Sequence, residues 1–309
     1  MSLLDRLRRH TAMLTLVALG PGGAERVGAA EAPRLQPLVG EERSVLVEPE
    51  DTLLDVAFRE RLGFEAVTRL NDGLDEWIPE PGSVVRLPTR FVLPDVEAQG
   101  LVLNIPEMRL YDFRAGPLPD VFAVAVGDAT DPTPVGAFRI GEKRIDPVWR
   151  VPTSIREERP ELPARVPPGP DNPLGGHWMT LGTSSYGIHG TNVRWSIGRE
   201  ATHGCVRLYE DEMKRLFDGT PSGTPVEIVY QPFKWGQRDD GLYLEAHPDI
   251  YGQVERPLTE ALALPSALGL LHAVDVGLVA LEVDRARGVP VRVGTLPAAE
   301  AEATSPPPS

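Results

Sequence analysis

Residues 91–229 are cut by glycine and proline into short β-type runs, and that segmentation limits the fold more than any other feature. Residues 101–105 and 108–113 flank Pro106-Glu107, the pattern of a hairpin. Residues 121–126 form a near-continuous apolar run, as expected for a strand central in its sheet or buried on both faces. Thr133-Pro134-Val135-Gly136 turns into another run at 137–140, and residues 178–181 and 225–230 read as further strands. Short strands at regular spacing predict a mainly β, α+β chain with a β-rich barrel or sandwich. The 32 prolines and 30 glycines agree, since both favour turns over long helices.

Ahead of this region, residues 43–90 carry a different pattern. Val45-Leu46-Val47 reads as a strand, and Asp51 or Thr52 can cap a helix bearing Leu53, Leu54, Val56, Ala57 and Phe58. A second helix places Val67 and Leu70 inward and ends at Asn71-Asp72-Gly73, and Pro81-Gly82 turns into a closing strand. This βααβ unit, through Glu50-Asp51-Thr52-Leu53, Leu70-Asn71, Ile78-Pro79, Pro81-Gly82 and Val85-Arg86-Leu87-Pro88, resembles a LysM module. The resemblance implies binding of N-acetylglucosamine-containing glycans such as peptidoglycan, with a scaffold that has lost affinity as the alternative.

The remaining segments are read by composition. Arg6, Arg8 and Arg9, an apolar run at 11–19 and Ala30-Glu31-Ala32 have the form of an export signal over residues 1–32. That run is too short for a permanent membrane span. Residues 146–173 are proline-crowded and lack periodicity, which suggests an ordered flap over the site, or else a solvated loop. Residues 210–217 look helical, with Met213, Leu216 and Phe217 on one face. The expected organisation continues with a catalytic domain at 97–231, an appendage at 232–295 with a helix-compatible stretch at 258–271, and a disordered tail at 296–309. A balance of 31 Lys+Arg against 45 Asp+Glu, net −14, argues against nucleic acid as a partner.

Chemistry concentrates at Ile188-His189-Gly190-Thr191-Asn192 and Thr202-His203-Gly204-Cys205-Val206-Arg207-Leu208. Cys205 is the single cysteine of the 309 residues, so it cannot form an intramolecular disulfide. A thiol attacks carbonyl carbon as the thiolate, and a nearby imidazole can take its proton and return one to a leaving amine. His189 and Cys205 can meet if a strand end delivers the first and a loop before a helix the second. Gly204 permits close backbone approach, and amides around Gly204 and Cys205 can receive an oxyanion. A zinc site from His177, His189, His203 and Cys205 uses legitimate ligands, but their spacing matches no familiar zinc pattern, and no metal is expected.

These residues, with Ser196-Ile197-Gly198, resemble the signature of YkuD-type L,D-transpeptidases. Asn104 to Tyr111, Thr133-Pro134-Val135-Gly136, Gly169-Pro170-Asp171-Asn172-Pro173 and the flanking units are similar to the periplasmic ErfK/YbiS branch. Thr202 stands where serine is commoner, with the hydroxyl kept. The resemblance implies Cys205 as nucleophile, His189 as base, and orientation of that base through Gly190. His203, Gly204 and Arg207 take positions lining the site, Arg207 suited to a substrate carboxylate or to a structural ion pair. The implied reaction, without cofactor, transfers the acyl group of a peptidoglycan tetrapeptide stem through a thioester to an amine. The acceptor is a lysine of an outer-membrane lipoprotein or another diaminopimelate. Release to water, as in a carboxypeptidase or amidase, and a non-catalytic wall-binding protein are the alternatives.

Overall fold

The computed structural model describes residues 33–297, so the expected export signal and most of the tail lie outside the described residues. Eight strands close into a barrel. In chain order they are β1 (Leu101–Asn104), β2 (Arg109–Asp112), β3 (Asp120–Gly127), β4 (Gly136–Ile145), β5 (His177–Leu181), β6 (Gly187–His189), β7 (Val206–Leu208) and β8 (Pro225–Val229). Around the ring they run β1, β2, β3, β7, β6, β5, β4, β8 and back to β1. The β8/β1 and β6/β7 pairs are parallel and the others antiparallel. Closure answers the barrel-or-sandwich question left by strand spacing and removes the exposed edges.

Strand alternation divides the residues between the two faces. Leu101, Leu103, Leu110, Phe122, Val124, Val126, Ile188, Val206 and Leu208 fill the interior, where Met213, Leu216 and Phe217 of helix Glu210–Gly219 join them. Residues 122–126 are buried on both faces because Ala123 and Ala125 pack outside against Ile197 and Tyr209, and Val121 is half-buried. The proline-crowded segment is ordered, with helix Thr153–Glu158 and an antiparallel pair, Trp149–Arg150 with Arg165–Val166. The missing period reflects elements too short to show one.

The small unit folds as strand Arg43–Leu46, helices Leu53–Arg59 and Phe64–Leu70, and strand Val84–Leu87, around Val47, Leu53, Val56, Val67 and Val85. Thr52 caps the first helix in a reciprocal capping box with Asp55. Asn71 is a tie: its amide donates to the carbonyls of Val67 and Arg86, and its oxygen accepts from Arg86 N–H. The unit packs on the barrel's outer face, where Phe58 meets Tyr209 edge-on at 5.5 Å and Tyr209 donates to the Leu62 carbonyl at 2.8 Å.

Residues 232–295 contain more order than their sequence suggests. Phe233–Arg238, Gly241–Ala246 and Pro290–Thr295 form a sheet that Gln36–Val39 and Phe91–Val92 complete, so both flanks of the small unit are tied to it. The helix-compatible stretch breaks at Leu262 into Pro257–Ala261 and Ala263–Ala267. Pro265 has no N–H for the Ala261 carbonyl, which accepts instead from the Trp235 indole at 2.6 Å.

A buried charge network joins this sheet to the barrel. Lys234 contacts Glu107 at 2.8 Å and Glu245 at 3.3 Å, Arg109 contacts the same two carboxylates, and His247 meets Glu245 at 2.9 Å. Burial pushes the Glu245 carboxyl up, but the opposing pull of Lys234, His247 and Arg109 prevails and holds it at about 2. Glu245→Ala would leave Lys234 and Arg109, two buried cations, to share the single carboxylate of Glu107. We expect a loss of about 3–5 kcal/mol, read as a lower urea midpoint.

Candidate active site

Register sets His189 next to the strand that follows Cys205. In the parallel β6/β7 pair, Ile188 lies opposite Val206 and His189 opposite Arg207. Ile188 and Val206 point into the core, so His189, Arg207 and, two residues before Arg207, Cys205 share the outer face. In an ideal parallel pair, with strands about 4.8 Å apart and a rise of about 3.3 Å per residue, positions offset as Cys205 and His189 are would have Cα atoms about 8 Å apart. A strand end thus carries the imidazole, and the residue just before a neighbouring strand carries the thiol.

His189 is almost fully buried, and its Nδ1 lies 2.6 Å from the Gly190 carbonyl. A carbonyl oxygen only accepts, so Nδ1 carries the proton and Nε2 keeps its lone pair. Burial, with the Arg207 guanidinium adding to it, lowers the imidazole to about 3, against the pull of the Gly190 and Leu174 carbonyls. The Trp178 indole stacks on the His189 ring at 5.5 Å and lies over Gly187, where an added Cβ would come within 2.4 Å of it. Burial also pushes the Cys205 thiol up, with the Gly187 backbone and Arg207 pulling it back. Burial thus keeps both groups uncharged at rest, the thiol protonated and the imidazole neutral.

The loop before β7 is held from several sides. The Thr202 hydroxyl donates to the Cys205 carbonyl at 2.6 Å, the work a serine would do at that position. Gly204 has φ +87°, and a Cβ there would lie 2.5 Å from the Tyr186 ring, so both conformation and space require glycine. His203 is turned to the surface, where Nδ1 meets Asp131 at 2.8 Å. Arg207 has a buried Nε with no hydrogen-bond partner and no salt bridge among the described residues. With His189 on Gly190, His203 on Asp131 and His177 facing Glu210 at 3.3 Å, the three histidines of the zinc reading face separate partners. A second cluster with ligand-like donors, Glu107, Glu245 and His247, already holds Lys234 and Arg109.

Residues 98–228 match the family described as the YkuD L,D-transpeptidase catalytic domain. The chain is 35% identical over 272 residues to the "Probable L,D-transpeptidase ErfK/SrfK" of Salmonella typhimurium, covering 83% of this chain and 87% of that one. The chain belongs to the YkuD-type L,D-transpeptidases. Its relatives in the ErfK/YbiS group include the "Probable L,D-transpeptidase YbiS" of Escherichia coli, 32% identical over 83% of this chain and 88% of that one. Among solved structures, the catalytic domain of the E. faecium L,D-transpeptidase aligns at 21% identity and TM-score 0.36, covering 44% of this chain and all of that one.

Sequence reasoning did not single out one residue of this L,D-transpeptidase that the structure places against the His189 loop. Glu210 opens helix Glu210–Gly219, accepts from Gly176 N–H at 2.9 Å, and fits its carboxylate into a notch of glycines. A Cβ would lie 2.1 Å from Glu210 Oε2 at Gly175 and 2.0 Å from it at Gly190. The Gly175-Gly176 pair with Gly190 was the available sign of a close approach. Gly190→Ala should therefore turn the Glu210 carboxylate out of the notch and break its bond to Gly176 N–H, loosening the loop beside His189 and lowering the acylation rate by at most about tenfold. Adding Glu210→Ala should recover part of that loss, as stopped-flow acylation of the single and double variants would show.

Proposed function

We propose that this chain is a cysteine-dependent L,D-transpeptidase that processes peptidoglycan stem peptides through a Cys205 thioester. The observation that carries the proposal is the pairing of His189 with Arg207, two residues after Cys205, with His189 presenting a neutral nitrogen. His189 takes the thiol proton as Sγ attacks the carbonyl of the third, L-configured residue of a tetrapeptide stem, diaminopimelate. Amides around Gly204 and Cys205 receive the oxyanion. The intermediate collapses to a thioester, and His189 returns the proton to the departing D-alanine amine. In the second half, His189 takes a proton from an incoming amine, which attacks the thioester and regenerates the thiol. The acceptor is the side-chain amine of a lipoprotein lysine or of another diaminopimelate.

Arg207 supports this reading because its buried Nε and the lack of an ion pair among the described residues favour a substrate carboxylate over a structural partner. Residues 43–90 act as a LysM-like peptidoglycan-binding module before the catalytic domain at 97–231. Exposed Ile78, and the open side of Trp77, whose ring meets core Phe64 at 5.8 Å, offer apolar surface on that unit. Peptidoglycan as substrate goes with a periplasmic location, the export signal being residues 1–32. No helix among the described residues is long and apolar enough to cross a membrane.

Mass spectrometry of muropeptides after incubation with tetrapeptide-rich peptidoglycan tests the proposal, with and without a lysine-bearing acceptor peptide. Transpeptidation gives crosslinked or peptide-anchored products with loss of D-alanine. Tripeptides alone would replace transfer by hydrolysis, and an unchanged muropeptide profile would reject the activity.

A further inference from the structure

Residues 229–297 lie beyond the matched catalytic domain, yet one of their side chains reaches the wall of the thiol loop. Tyr251 follows strand Gly241–Ala246 and packs with Ile250 against the barrel core. Its hydroxyl donates to the Gly127 carbonyl at 2.7 Å and accepts from Thr133 N–H at 3.1 Å. One phenolic oxygen therefore fastens both ends of the loop that leaves β3. Inside that loop, Gly127 N–H donates to the Thr133 hydroxyl at 2.8 Å.

The loop is in turn fitted to the catalytic segment. Asp128 N–H donates to the Thr202 carbonyl at 3.1 Å, and Asp131 holds His203. A Cβ on Gly127 would stand 2.8 Å from Gly204 Cα, and one on Gly204 would stand 3.2 Å from the Pro132 carbonyl. Gly204 is thus enclosed between the loop and Tyr186, in a left-handed conformation that fixes how the next amide points.

Tyr251 is itself anchored. Its ring stacks on Tyr230 at 5.6 Å and its N–H donates to the Tyr230 hydroxyl at 2.8 Å. Tyr230 donates to Asp249, whose carboxylate also accepts from Gln253 and Val254 N–H groups. The path from the C-terminal sheet to the residue before the thiol consists of direct contacts throughout.

We propose that Tyr251 is a positioning residue: by stapling loop 127–133 it sets the Gly204–Cys205 backbone for acyl transfer, making the C-terminal segment part of the active site. The inference rests on the nucleophile assignment above. It concerns the geometry that receives an oxyanion, and simple alkylation of the thiol makes no oxyanion. The two reactions should therefore separate in Tyr251→Phe, which deletes the staple and keeps the ring.

The full chain and its Y251F and V279A variants are compared with a carbapenem and with iodoacetamide. Val279 is buried in the C-terminal unit, away from the tyrosine contacts, and controls for loosening of that unit. In Y251F we expect the limiting first-order acylation rate to fall about tenfold or more, with the half-saturating carbapenem concentration and the alkylation rate within about twofold of the unsubstituted protein. V279A should lose melting temperature and keep its acylation rate. Acylation of Y251F at the unsubstituted rate would overturn the proposal, as would losses in both variants that simply follow melting temperature. A missing Cys205 adduct in the unsubstituted protein would instead remove the nucleophile assignment and this inference with it.

Discussion

Cys205→Ala is expected to abolish acyl transfer and D-alanine release while leaving the fold intact. The sequence holds no second thiol to take over. Trimming one sulfur removes few contacts, about 1 kcal/mol by its size. The turn around it is held by the Thr202 hydroxyl on the Cys205 backbone carbonyl, a bond the substitution does not touch. Melting temperature should stay near that of the unsubstituted protein. Cys205→Ser is the sharper comparison: it keeps size and hydrogen bonding but offers a hydroxyl that ionises far less readily. It should be folded and nearly inert, and turnover near the unsubstituted level in either variant would refute the assignment.

His189→Ala is the second large effect. General-base assistance is worth about 10²–10⁴-fold, and acylation should slow by that order. The buried imidazole stays neutral until the pH approaches about 3, so loss of the base through protonation should fall well below the ordinary histidine range. Raising the pH assists the thiol, whose ionisation burial delays. Acylation should therefore show no acid limb near pH 6.5 and should rise on the alkaline side. The same depressed value affects folding. Below pH 6.5 the unfolded imidazole takes up a proton that the folded one refuses, so stability is full above that pH and declines towards about 3. Urea midpoints at pH 7 and pH 4.5 should differ less in His189→Ala than in the unsubstituted protein.

The β-rich character was legible because short strands between turns leave a strong local trace, whereas the choice of barrel over sandwich depended on closure between strands distant in sequence. Pro106-Glu107 between two apolar runs gave the β1/β2 hairpin, and residues 121–126 gave β3. The parallel β6/β7 register that pairs His189 with Arg207 was not legible, since it depends on a long-range pairing without a turn signal. Motif order supplied the candidate site residues, whereas Glu210 and Tyr251 make their contacts with backbone carbonyls, amides and glycines. Nothing about a glutamate at a helix start, or a tyrosine after a strand, reveals such partners. The C-terminal sheet was missed for a related reason: Gln36–Val39 and Phe91–Val92, which complete it, are distant in sequence.

The most direct test is to trap the acyl-enzyme. A tetrapeptide stem substrate is mixed with the protein, the reaction is quenched in acid, and intact-mass and peptide-level spectrometry follow. The account predicts a mass gain equal to the tripeptide acyl group on the peptide containing Cys205, one D-alanine released per adduct, and neither signal in Cys205→Ala. An adduct on any other residue, or D-alanine release that survives in Cys205→Ala, would contradict it.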